Sequence, residues 1–116
     1  GEVDDAIEAF FTTLAPAFRD QTTLATFSEF GRRPERNDSN GTDHGAGGLM
    51  LVIGNRAAGG IASEFPGLGN LDDQENLKVT TEFRSVWATL LESWMQIDAQ
   101  AVLPGIDQTR VPIIRA

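Results

Sequence analysis

Apolar side chains near the start of the chain follow the spacing of one helix face. They recur three or four positions apart, and acidic residues occupy the first turn, where negative charge suits the positive end of the helix dipole. The pattern stops near Pro16. We therefore expect a helix over residues 3–15, with an apolar face formed by Val3, Ile7, Phe10, Phe11 and Leu14.

Two short stretches predict β-strands. Residues 22–28 are rich in β-branched and aromatic side chains and are bounded by Asp20-Gln21 before and Gly31 after. Residues 49–53 form an unbroken apolar run that closes at Gly54-Asn55, which is typical of a strand buried on both faces in a parallel sheet.

A second helix is predicted over residues 81–96. Thr80 or Thr81 can cap its start, and the apolar residues that follow form a wide stripe. Trp87 and Trp94 lie on that stripe, and core packing explains them better than a stacking platform for a ligand does.

The remaining segments show no periodicity. Residues 29–48 and 54–79 are rich in glycine and polar residues, so we expect both to be loops. A loop as long as the first is usually functional or disordered, which makes residues 29–48 the expected site loop. We expect residues 97–116 to form a tail that packs over another part of the protein.

These elements predict an α/β fold, namely the edge of a mostly parallel sheet with flanking helices. Two buried strands cannot form a stable parallel sheet alone, because each needs hydrogen-bonded neighbours and helices on both faces. We therefore expect residues 1–116 to be a single partial domain, incomplete as given. Its partners would be the remainder of the same protein or other protein chains.

Composition excludes several classes of function. The 116 residues carry 17 Asp and Glu against 9 Lys and Arg, and the net charge of −8 argues against general nucleic-acid binding. The longest apolar run is far shorter than the roughly 20 residues that cross a bilayer, so we expect no membrane span. There is no Cys and one His, His44, which is therefore the one imidazole that this chain can offer to a metal or to a proton transfer.

A first candidate cluster follows the strand predicted over residues 22–28. Glu29 and Arg32 lie where ligand-binding groups gather in open α/β sheets. A carboxylate there can bind a divalent metal or act as a base, and Arg32 can hold an anionic oxygen through two N–H groups. A salt bridge between Glu29 and an arginine is the structural alternative.

A second candidate cluster is Asp43 and His44. The two side chains offer adjacent donors, and the glycines around them let the backbone come close to an ion or a phosphate. A solvated loop histidine is the alternative. Residues 37–41 just upstream favour an Asx turn over a calcium loop, because the spaced acidic ligands of an EF-hand are missing.

The order of these motifs resembles that of a known bacterial family. It runs through Ser28-Glu29-Phe30-Gly31-Arg32, then Gly41-Thr42-Asp43-His44-Gly45, and ends at Glu82-Phe83-Arg84-Ser85-Val86-Trp87 and Trp94. The combination, over about residues 3–96, resembles the C-terminal part of the family of domain of unknown function 1501. Members of that family in turn resemble the alkaline phosphatase and sulfatase superfamily, which binds one or two divalent metals at the C-terminal edge of a mostly parallel sheet.

The superfamily resemblance implies a metal site and allows two alignments of it. In one, Asp43-His44-Gly45 corresponds to the Asp-His-Gly of sulfatases. In the other, which we favour because Glu29 directly follows a predicted strand, Glu29 takes that place and His44 is a later ligand. The favoured alignment makes Glu29 and His44 ligands of a divalent metal (Zn, Ca, Mg or Mn) and Asp43 either a ligand or a carboxylate that orients His44. Arg32 is then the candidate catalytic residue that binds the anion.

The chain also departs from the superfamily. Glu29-Phe30 stands where the superfamily has Asp-His, which removes one imidazole and argues against a two-zinc site. Nothing in residues 1–22 resembles the superfamily nucleophile or its first metal carboxylate. We therefore do not expect this chain to be active by itself.

Two functions lead at this point, and a third alternative is a small-ligand or anion-binding module that uses Arg32, Arg33 and Arg36 with the glycine-rich loop. The first is the C-terminal part of a metal-dependent hydrolase of phosphate or sulfate esters, whose substrate is an anionic small molecule. The second is a non-catalytic secreted or surface assembly protein that keeps the fold with a degenerate site. In either case the resemblance implies that the full-length protein is periplasmic or secreted.

Overall fold

The structure, a computed structural model, describes residues 1–106 and 109–115. It combines helices with small antiparallel sheets. In chain order the elements are α1 (Glu2–Thr13), α2 (Pro16–Arg19), β1 (Leu24–Ala25), β2 (Gly31–Arg36), β3 (Thr42–Gly45), β4 (Val52–Ile53), α3 (Phe83–Thr89), a π-helical segment (Leu90–Trp94) and α4 (Ala99–Val102).

Helix α1 occupies the segment expected to be helical, but none of its residues is buried. Its apolar face is open, with Val3 66% exposed, although Phe10 and Phe11 pack edge to face. Arg19 ties the end of α1 to α2, because its Nε donates to the Leu14 carbonyl and its Nη2 to the Thr12 carbonyl. The helix is therefore held at its end rather than by burial of its apolar face.

Strands β1 and β4 pair with each other, and the pairing is antiparallel. Leu24 faces Ile53 and Ala25 faces Val52, and the backbone N–H of Thr26 extends the ladder by donating to Leu51. The two strands are two residues long each and half-buried, so the expectation that residues 49–53 are buried on both faces is wrong. An apolar run indicates that a segment can be buried, but it does not determine the direction of the neighbouring strand.

The segment 29–48, expected to be a loop, contains an antiparallel hairpin formed by β2 and β3. Gly31 faces Gly45 and Arg32 faces His44, and the register shifts between Arg32 and Arg36. Asn37 organises the turn: its Oδ1 accepts from the backbone N–H groups of Ser39 and Gly41, both at 3.0 Å. This is the Asx turn predicted for residues 37–41, and it closes a hairpin that has no alternation of apolar residues.

The buried core lies at the other end of the chain. Glu82 caps the start of helix α3, because its carboxylate accepts from the Arg84 backbone N–H at 3.0 Å, so neither Thr80 nor Thr81 is the cap. The centre of the core is small, and Leu91 and Leu103 pack partly buried around it. Its central cluster is formed by Ala88, Ala99 and Ile106, and Val86 and Leu90 are also buried.

The segment expected to be a tail contains α4 and folds back on the rest of the chain. The Arg110 guanidinium pairs with the Glu92 carboxylate at 2.7 Å, and the Val111 backbone N–H donates to the Thr89 hydroxyl at 2.9 Å. Ile114 then forms a bridge with Ala57. These contacts fasten the end of the chain to α3, to the π-helical segment and to the loop after β4.

The two tryptophans lie beside the core rather than within it. Both are half-buried, and they line an apolar groove together with Leu90, Leu91 and Met95. Trp87 also meets Phe27 edge to face at 5.5 Å, and the Arg56 guanidinium lies 5.3 Å from the centre of the Trp94 ring. Core packing therefore accounts for only part of each ring.

Candidate functional site

The hairpin brings two of the predicted site residues together. Arg32 of β2 lies directly opposite His44 of β3. Side chains opposite each other in an antiparallel pair have Cβ atoms about 5 Å apart, so the guanidinium and the imidazole can reach the same small ligand. One guanidinium nitrogen of Arg32 donates to the Thr42 carbonyl at 2.8 Å, which anchors the arginine along the partner strand.

Phe30 contacts both of these side chains. Its ring stacks on the His44 imidazole with the centres 3.8 Å apart and the planes at 22°, and the Arg32 guanidinium lies 5.7 Å from the centre of the same ring. We call Phe30, Arg32 and His44 the hairpin cluster. All three side chains are exposed, so the cluster is open to a ligand from solution.

The hairpin cluster has unused hydrogen-bonding capacity. Arg32 carries five N–H donors, and within residues 1–106 and 109–115 its side chain makes the single hydrogen bond to Thr42. Neither ring nitrogen of His44 is hydrogen-bonded in the same residues. Because the nitrogen lone pairs lie in the plane of the imidazole, stacking on one face leaves both nitrogens accessible.

Asp43 belongs to the opposite face of the hairpin. Neighbouring residues of a strand direct their side chains to opposite faces, so Asp43 and His44 diverge. The Asp43 Oδ1 accepts a hydrogen bond from the Asn37 side-chain amide at 3.1 Å, which connects the carboxylate to the turn. Asp43 therefore does not orient His44 in this conformation.

Glu29 lies just before the hairpin and is exposed. It forms no salt bridge with an arginine in the part of the chain that the structure describes. In that same part, no three His, Asp or Glu side chains come close enough to hold a metal ion. Among the candidate ligands, His44 has the free nitrogens that a metal requires, and a complete ligand set would need groups from other residues.

The other two arginines of β2 have different surroundings from Arg32. A guanidinium nitrogen of Arg36 donates to the Asn40 side chain at 2.6 Å, and Arg33 is half-buried on the side of Asp72. The backbone N–H of Asn76 and then that of Gln74 donate to the Asp72 carboxylate and hold its pKa below the ordinary value, and Arg33 adds to the effect. Of the three, Arg32 is the arginine that accompanies His44.

Sequence reasoning missed Phe30 and Asn37 as members of the site. Phe30 is two positions before Arg32, the spacing that puts side chains on one face of a strand, but the segment was expected to be a loop. Asn37 was assigned to a turn, and its second role, the bond from its amide to Asp43, depends on the hairpin register.

The chain thus combines helices with antiparallel strands, and its hairpin carries an exposed cluster of an arginine, a histidine and an aromatic ring. The chain belongs to the family described as protein of unknown function (DUF1501), whose family profile matches residues 1–113. No curated protein and no solved structure matches the chain. In the described residues, no helix combines the length and the apolar character that crossing a membrane requires.

Proposed function

We propose that the chain is part of a phosphate or sulfate ester hydrolase-like protein, in which Arg32 and His44 act on one anionic ester. The observation that carries this proposal is the placement of Arg32 opposite His44 with Phe30 against both. The mostly parallel sheet of an alkaline-phosphatase-like protein belongs to the same proposal, with the remainder of the protein supplying the strands that would continue it.

Arg32 binds the charged group of the ester in this proposal. The edge of its guanidinium that does not face Thr42 has N–H groups without a partner among the described residues, and a guanidinium edge matches two oxygens of a phosphate or sulfate. The chain carries a net charge of −8, so the positive charge for an anion must be local, and Arg32 provides it.

His44 is the metal ligand in this proposal, and Glu29 and Asp43 are its candidate co-ligands. A divalent metal (Zn, Ca, Mg or Mn), when bound, would polarise an ester oxygen and activate a nucleophile supplied by the remainder of the protein. For Asp43 to share the metal with His44, the end of β3 would have to open, because the two side chains lie on opposite faces of the hairpin. The full-length protein would act in the periplasm or outside the cell.

Binding measurements on the full chain test this proposal. Calorimetric titration with ZnCl2 or MnCl2 and with inorganic phosphate should detect both ligands in the wild type. We expect His44→Ala to abolish metal binding and Arg32→Gln to weaken phosphate binding by about 10-fold or more, as loss of a charge-assisted contact does. Arg36→Gln is the matched control from the same strand and should leave both unchanged. Wild-type protein that binds neither probe would contradict the proposal.

Two further variants test the ligand set. If Glu29, Asp43 and His44 share the metal, Glu29→Gln and Asp43→Asn should each lose it as His44→Ala does. Native mass and metal content of the protein as isolated complete the test. A larger native particle that holds a stoichiometric metal, lost in His44→Ala, agrees with the hydrolase proposal.

The alternative function is a non-catalytic assembly protein, and the exposed apolar surface favours it. Large hydrophobic side chains are exposed on α1, after β1, before β4 and in the loop after β4. They include Phe27 at 70%, Leu49 at 77% and Ile61 at 87% exposed. Exposed hydrophobic side chains in this number are a feature of surfaces that contact other protein. Analytical ultracentrifugation distinguishes the alternatives: a stable assembly without metal and without effect of Arg32→Gln would favour the assembly protein.

A further inference from the structure

We propose that Phe30 is a positioning residue of the hairpin cluster, which holds the His44 imidazole and the Arg32 guanidinium so that both meet the same ligand. This inference rests on the proposed function, because it assigns a role within that site. Phe30 itself would touch neither the metal nor the anion.

The first argument is that the Phe30 ring restrains His44. An exposed histidine on a two-stranded hairpin is otherwise free to exchange between rotamers, and the ligand would have to fix one of them on binding. The ring centres 3.8 Å apart and the 22° angle between the planes show that one face of the imidazole is covered. The stack therefore fixes the imidazole plane while its two nitrogens remain accessible at the edge.

The second argument is that the same ring restrains Arg32. The guanidinium lies 5.7 Å from the centre of the Phe30 ring, within the distance of a cation–π contact, and one of its nitrogens donates to the Thr42 carbonyl. These two contacts on one planar group restrict where the guanidinium can lie. One phenyl ring thus sets the positions of an imidazole and a guanidinium relative to each other.

The third argument is that Phe30 has no comparable role in the core. Its side chain is 40% exposed, and it is not a member of the buried cluster around Ala88. Its backbone is held by neighbours instead, since its N–H donates to the Ser28 hydroxyl and the next residue, Gly31, packs against Gly47. Replacing the ring should therefore change the cluster without unfolding the chain.

The single histidine makes the test direct, because an imidazole resonance in the proton NMR spectrum can come only from His44. In wild-type protein we expect upfield-shifted His44 ring protons and nuclear Overhauser contacts to one phenylalanine ring. Phe30→Leu should remove both signals, and Phe30→Tyr, which keeps the aromatic face, should restore them. Phe27→Leu is the matched control, since Phe27 is an exposed phenylalanine that contacts Trp87.

Zinc titration of the same variants gives the functional readout. We expect Phe30→Leu to weaken Zn²⁺ binding about tenfold, because loss of a residue that positions a metal ligand costs at least that much affinity. Phe30→Tyr and Phe27→Leu should bind Zn²⁺ as the wild type does. Unchanged His44 resonances in Phe30→Leu would overturn the inference, and so would an unchanged zinc affinity if the wild type binds Zn²⁺.

The two proposals fail differently. If wild-type protein binds no Zn²⁺ while the His44 resonances respond to Phe30→Leu as expected, the metal part of the proposed function fails and the positioning of His44 by Phe30 is supported. If Phe30→Leu does not fold, the wild-type nuclear Overhauser contacts decide: their absence overturns the inference, and their presence together with rescue by Phe30→Tyr supports it.

Discussion

The backbone of Gly31 packs directly against that of Gly47. A Cβ atom at Gly31 would lie 1.7 Å from the Gly47 carbonyl oxygen, a distance at which backbone must move. The next residue, Arg32, donates its backbone N–H to the same carbonyl at 2.9 Å. The position of the hairpin cluster thus depends on a glycine whose role is close approach rather than unusual dihedral angles.

Gly31→Ala should therefore damage both stability and the cluster. The added methyl group has no space, so we expect a loss of about 1–3 kcal/mol in the free energy of unfolding, measured by urea denaturation. The His44 resonances should shift as the strands separate. Gly48→Ala is the matched control, because the nearest atom to its added Cβ is 3.5 Å away. Equal stability of the two variants would show that the close approach is absent in solution.

The helical regions could be predicted from the sequence because helical periodicity is a local pattern. The apolar spacing of residues 3–14 and of residues 83–95 identified both helical regions, although it did not reveal that α1 is uncovered or that the second region continues as a π-helical segment. The hairpin could not be predicted in this way. Strand β2 has the sequence GRRPER, without apolar alternation, and its pairing depends on the Asn37 turn and on the contact between Gly31 and Gly47.

The candidate site was predictable as residue types but not as an arrangement. Arg32 could be selected because it follows a predicted strand, and His44 because it is the one imidazole and lies among glycines. Their pairing follows from a register that no short-range pattern encodes, and the same register separates Asp43 from His44. The role of Phe30 could not be predicted for the same reason, since the sequence assigns no neighbour to an aromatic residue in an expected loop.

Ile106 is the largest side chain in the buried cluster that it forms with Ala88 and Ala99, and its truncation should be costly. Ile106 is 3% exposed and packs with Ala88 and Ala99, which are too small to close the space it would leave. We expect Ile106→Ala to lower the free energy of unfolding by about 2–5 kcal/mol. Ile61→Ala makes the same chemical change at a position that is 87% exposed, and it should shift stability by less than about 0.5 kcal/mol. Calorimetric melting of both variants measures the difference, and similar melting temperatures would refute the assignment of the core.

The Asp72 carboxylate holds the turn that contains the buried Asn76. It accepts the backbone N–H groups of Gln74 and Asn76, both at 2.9 Å, and the Asn76 side-chain amide at 3.3 Å. Asp72→Ala removes all three bonds, so we expect faster amide hydrogen exchange at residues 74 and 76 and a lower urea midpoint. Asp73→Ala, which removes a neighbouring carboxylate without such bonds, should leave the exchange slow. Identical exchange in the two variants would contradict this role of Asp72.

The ion pair between Glu92 and Arg110 should make stability depend on pH on the acid side. The Arg110 side-chain hydrogen bond and its positive charge hold the pKa of Glu92 below the ordinary value, against a smaller opposing effect of desolvation. A carboxyl group with a lowered pKa in the folded state stabilises the fold at pH values above its pKa in the unfolded chain. That contribution is lost as the pH falls through the lowered pKa, because the folded state must then take up a proton that it binds weakly.

Urea midpoints measured from about pH 7 to about pH 3 should therefore fall in wild-type protein. Glu92→Gln should be less stable than the wild type at neutral pH, and its urea midpoint should fall less as the pH is lowered. Glu64→Gln is the control and should follow the wild type, because Glu64 is exposed and has no ion pair among the described residues. Parallel curves for Glu92→Gln and wild type would show that the pair makes no contribution to folding.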